Sequence, residues 1–125
     1  MKIDASIVII CVLYIIKFVF GLWLFRTGKP YNTAILAIHK LVSLFTAIYI
    51  GLTARRMHMT VGLSTTDFVM VFLTELLFVI AIASGGILSI DKPAPAVIAF
   101  IHKIAPVLSV LTVAITIYLI FSTIF

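Results

Sequence analysis

A chain of 125 residues that is 64% hydrophobic and 10% charged has too few polar side chains to clothe a water-soluble surface. The mean hydropathy of +1.36 points the same way. The formal charge of +5 invites a nucleic-acid reading, but the basic residues are dispersed and no basic patch is interleaved with aromatics, so that class of partner is excluded.

The first apolar stretch runs from about Ile3 to Phe25. It is long, carries Lys17 inside it and lacks a small-residue cleavage site, so it reads as a mature membrane helix and not as a signal peptide. Cys11 lies within it and is the single cysteine, which rules out an intrachain disulfide. The second stretch runs from about Thr33 to Thr53, the third from Asp67 to Leu88 and the fourth from Ala96 to Ile124. Each is long enough to cross roughly 30 Å of hydrocarbon at about 1.5 Å per residue. Backbone polar groups go unpaired in lipid unless the segment is helical, so four transmembrane helices are expected despite many β-branched residues.

The links Arg26 to Asn32 and Ser89 to Pro95 are short and contain Gly or Pro, which predicts tight helical hairpins. The middle link, Ala54 to Thr66, reads as longer and polar, with Arg55, Arg56 and His58 in it. Four crossings put both termini and this middle link on one side of the membrane. Lys2, Arg55 and Arg56 flank that side and Arg26, Lys29 and Lys92 the other, so the charge balance is even. The adjacent pair Arg55-Arg56 favours cytoplasmic termini. The expected location is a prokaryotic cell membrane, and Trp23 and Tyr31 suit its interfacial belt.

The most informative feature is an internal repeat. Lys29-Pro30 precedes Ile38-His39-Lys40-Leu41, and Lys92-Pro93 precedes Ile101-His102-Lys103-Ile104, at an offset of 63 residues. At that offset Ile35 matches Ile98, Thr46 matches Ser109, Asp4 matches Asp67 and Gly21 falls opposite Ser84. The expected architecture is therefore an all-α membrane domain, a four-helix bundle made of two parallel-repeat hairpins, 1–62 and 63–125. A pseudo-two-fold axis would lie along the membrane normal, with the histidines at one depth on either side of it. His39, Ser43 and Thr46 form one helical stripe, and His102, Pro106 and Ser109 the equivalent one. Polar residues in membrane helices face the protein interior, which would turn the imidazoles toward each other. Pro106 has no N–H to offer the carbonyl of His102.

Two facing imidazoles predict one b-type haem per chain, its iron held by His39 and His102 between helices two and four. Small residues, Gly85 and Gly86 above all, would admit the porphyrin, and Lys40 and Lys103 would snorkel toward its propionates. At this point the chain resembles membrane cytochromes b of the four-helix kind, such as the cytochrome b561 group, through the stretches Ile38 to Leu44 and Ile101 to Val107. The resemblance implies haem ligation by His39 and His102. It departs in number, since those cytochromes commonly hold two haems and this chain has histidines for one. An electron path across the membrane would then need a second protomer or a partner subunit.

The function expected is electron transfer with a quinone-type carrier or a redox partner, as a non-catalytic subunit of an oxidoreductase complex or as a homodimer in lipid, with no catalytic side chains of its own. Glu75 and Lys17 are the other intramembrane ionisable groups, unduplicated, and candidates for an ion pair or for proton transfer. They support an alternative, a small proton-coupled transporter. The small multidrug transporters are also short four-helix proteins, but their glutamate lies in the first helix. A third reading is a structural subunit whose histidines only bond across helices. Copper or zinc is disfavoured because no third ligand stands at ligand spacing. His58 reads as a solvated loop histidine.

Overall fold

The computed structural model describes residues 3–90 and 92–125, with side chains from residue 5 onward. Lys2 thus lies outside the described residues, as does the side chain of Asp4. Four helices follow in order: α1 (Ile3–Thr27), α2 (Thr33–Val61), α3 (Thr65–Leu88) and α4 (Ala96–Ile124). All four are long and apolar enough to cross a membrane. Val8, Phe25, Leu41, Phe72 and Phe100 are each more than half exposed, the surface expected where lipid is the solvent.

The chain divides into two compact units, Met1–Ile50 and Gly51–Phe125, with the boundary inside α2. The first holds α1 and the start of α2. Its buried positions include Ser6, Ile10, Tyr14, Lys17 and Leu24 on α1 and Ser43, Thr46 and Ile50 on α2. In the second, α3 packs along α4. Asp67, Thr74, Phe78, Ala81 and Ser84 of α3 are buried, as are Ala105, Ser109, Thr112, Thr116 and Ile120 of α4. The interior faces are thus small and hydroxyl-bearing, and the large aliphatics point outward, the inverse of a soluble protein. Thr74 Oγ1 donates to Thr112 Oγ1 at 2.7 Å across the α3–α4 contact.

The link between α2 and α3 is shorter than the sequence predicts. Helix α2 runs on to Val61, so Arg55, Arg56 and His58 stand on its last turns and not in a loop. Its terminator is Gly62, at φ +72, whose N–H bonds the carbonyl of His58. His58 is a capping group: its Nδ1 accepts from the Leu63 N–H at 3.2 Å, and its ring meets the Phe68 ring edge-on at 4.7 Å. Two residues on, Ser64 and Asp67 form a capping box that starts α3, with Ser64 Oγ accepting from the Asp67 N–H and Asp67 Oδ2 from the Ser64 N–H. The other end of α3 and the start of α4 fall where the sequence puts them, and α1 continues past Phe25 to Thr27 before Gly28, at φ +66, ends it.

Candidate functional site

Each unit contains one histidine set into its neighbouring helix in the same way. In the first, the His39 ring lies against Gly21 of α1, where an added Cβ would come within 3.0 Å of Cε1. His39 Nδ1 is 3.1 Å from the carbonyl oxygen of Lys17. A carbonyl only accepts, so Nδ1 carries the hydrogen and donates it. Lys17 stands one helical turn before Gly21, and the absent side chain at Gly21 is what lets the ring reach that carbonyl. Ser43 Oγ donates to the carbonyl of His39 at 2.8 Å.

In the second unit the His102 ring lies against Gly85 of α3, where an added Cβ would be 2.7 Å from Cε1. Its Nδ1 donates to the carbonyl of Ala81 at 2.9 Å, again one turn before the glycine. Ser84 Oγ is 3.1 Å from the same nitrogen and gives its own hydrogen to the Ile80 carbonyl at 2.8 Å, so it serves Nδ1 as a second acceptor.

The two seatings differ by one residue in their spacing. A constant offset of 63 pairs Gly21 with Ser84, but the residue that does for His102 what Gly21 does for His39 is Gly85. The acceptor lies 22 residues before the histidine in the first unit and 21 in the second. Buried Tyr14 and buried Phe78 each stand seven residues before these glycines.

Both imidazoles are half-buried, and their carbonyl acceptors place a hydrogen on Nδ1 of each. Metal-bound histidines are commonly oriented by the same device, the second ring nitrogen donating to a backbone carbonyl. Lys40 and Lys103, next in sequence to the histidines, are exposed. Gly85 is occupied by the His102 ring, whereas a Cβ at Gly86 would meet nothing within 4 Å. Among the described residues no three His, Cys, Asp or Glu side chains come together.

Lys17 is 4% exposed, and its ammonium lies 4.4 Å from the centroid of the Tyr14 ring and 5.2 Å from that of Phe18, within cation–π range. The same residue thus offers its carbonyl to His39 and its charge to aromatic faces. Glu75 has a buried Oε1 with no hydrogen-bond partner among the described residues, 3.7 Å from where a Cβ on Gly51 would stand. Comparison with protein-family models, with curated proteins and with solved structures finds no match.

Sequence reasoning finds both histidines, both lysines and Glu75, because scarce residue types stand out in an apolar chain. It misses the carbonyls of Lys17 and Ala81, which no side-chain pattern encodes. It also misses the role of Gly21 and Gly85, for which the signal is a glycine 18 residues before one histidine and 17 before the other.

Proposed function

We propose that the chain is a membrane electron-transfer protein in which His39 and His102 supply the axial imidazoles of one b-type haem. One observation carries the reading: both rings are fixed through Nδ1–H to a backbone carbonyl, the device by which metal-bound histidines are commonly oriented. The donor set suits haem better than a bare metal ion, since a porphyrin brings its own equatorial nitrogens and asks the protein for two, whereas zinc or copper asks for three or four. Bound haem supplies one-electron chemistry that no side chain here can perform. The protein's part is to hold two imidazoles in one tautomer, to exclude water with apolar helices, and to offer Lys40 and Lys103 to propionates. The electron would pass to or from a quinone-type carrier or a partner redox subunit.

The test is optical. Protein purified from haem-replete cells should show a Soret band and a reduced α band at one haem per chain. His39→Ala and His102→Ala should each abolish the six-coordinate spectrum. Colourless protein, or bands unchanged in both variants, would overturn the reading and leave the histidines as helix-to-helix bonds.

A further inference from the structure

We propose that Glu75 is an intramembrane proton-binding site: a neutral carboxylic acid in the folded chain, able to exchange a proton with a lipid-soluble reagent. Its Oε1 is shut away from solvent and accepts no hydrogen bond among the described residues. An ionised carboxylate is acceptor-only and calls for several donors, and a buried one without them is among the costliest groups a membrane helix can carry. Binding a proton removes the charge and most of that demand.

Among the described residues of the unit, none offers a cation to hold the ionised form at Oε1. On α2 the nearest surface is the bare backbone of Gly51. Arg55 lies one turn further on, followed by Arg56 and His58; all three are exposed, and His58 is engaged at the end of its helix. On α3 the other acid, Asp67, is two turns away and its Oδ2 is already taken by the N–H and hydroxyl of Ser64. On α4 no titratable residue stands between Lys103 and Tyr118. The hydroxyls there are turned inward on their own helix: Ser109 to Pro106, Thr112 to Ser109 and Thr116 to Thr112. Thr74, next to Glu75, gives its hydrogen to Met70 or to Thr112. None of these donates to Oε1.

Access comes from the lipid side. Glu75 as a whole is half-buried, and its helical neighbours Phe72, Leu76 and Val79 are 70%, 43% and 62% exposed. An apolar reagent dissolved in the bilayer reaches this face; a charged one in water does not. Dicyclohexylcarbodiimide is the matching probe. The acid's proton passes to one carbodiimide nitrogen, the carboxylate oxygen adds to the central carbon, and the O-acylisourea rearranges to a stable N-acylurea, so the whole reagent is added and nothing leaves.

The experiment uses the full chain in liposomes, treated with dicyclohexylcarbodiimide or with a cationic water-soluble carbodiimide, and read by intact and peptide mass. The expected result is one added dicyclohexylcarbodiimide per chain, mapped to Glu75 and lost in Glu75→Gln, with no reaction there of the water-soluble reagent. The yield should fall as the pH is raised, and Glu75→Gln should melt at the temperature of the parent. Three results each overturn the proposal: Glu75 left unmodified while the reagent enters the bilayer, Glu75 modified equally by the water-soluble reagent, or Glu75→Gln melting well below the parent, as expected where a carboxylate is held by a cation. The assay needs no haem, so its outcome is separate from that of the optical test.

Discussion

Substituting alanine at three glycines tests whether the histidines are seated as the coordinates place them. At Gly85 the new Cβ would stand 2.7 Å from Cε1 of His102. Carbon atoms pack at about 3.5–4.0 Å, so the ring must retreat by roughly 0.8 Å or more. The Nδ1–O distance to Ala81 starts at 2.9 Å, and a retreat of that size takes it beyond hydrogen-bonding range. The loss is about 1 kcal/mol for the hydrogen bond and about 1–3 kcal/mol for overpacking. Alanine returns about 1 kcal/mol as the better helix former, leaving a net destabilisation of about 1–3 kcal/mol. At Gly21 the contact is 3.0 Å, so the same analysis gives a smaller net loss. At Gly86 nothing lies within 4 Å, and only the helical gain remains. Thermal unfolding followed by circular dichroism in one detergent should therefore rank Gly86→Ala at or above the parent, Gly21→Ala below it and Gly85→Ala lowest. If Gly85→Ala and Gly86→Ala behave alike, His102 is not seated against Gly85 and the tautomer argument falls with it.

Three further outcomes follow from individual contacts. Thr112→Val, which removes the acceptor for Thr74 and keeps the shape, should cost about 0.6 kcal/mol, and the double variant with Thr74→Val should cost little more, as measured by a double-mutant cycle. Ser64→Ala should destabilise by about 1 kcal/mol in an equilibrium melt, because the Asp67 N–H loses its acceptor and Asp67 Oδ2 its hydroxyl donor, while the Ser64 N–H bond to Oδ2 remains. His58→Ala removes the acceptor of the Leu63 N–H, at about 1 kcal/mol or roughly fivefold in local opening. Hydrogen exchange at Leu63 should be roughly fivefold faster in His58→Ala than in the parent at one pH.

The fold was legible because the membrane leaves few choices. Four apolar stretches of sufficient length admit only helices, and the two Pro- and Gly-bearing links mark four of the boundaries to within two residues. The end of α2 was not legible from hydropathy. Arg55, Arg56 and His58 look like loop residues because they are polar, but a helix that leaves the hydrocarbon continues in water as readily as any other. What stops it is backbone conformation at Gly62, and a glycine in a polar segment signals a turn only once its φ is known. His58 shows the same limit: its partner is a main-chain N–H created by that turn.

The site divides along the same line. His39 and His102 are conspicuous because Lys-Pro and His-Lys recur together, but a repeat in sequence specifies side chains, and what seats the rings is backbone: the bare flank of a glycine and the carbonyl one turn before it. That seating makes the histidines informative beyond their presence. A residue retained only to bond across helices needs its Nδ1 hydrogen alone, whereas a ligand needs that hydrogen fixed so that the opposite nitrogen is available. Glutamine at either position can replace the first duty and not the second. A variant that keeps the parent's melting temperature while losing the haem spectrum would separate ligation from packing at the same residue.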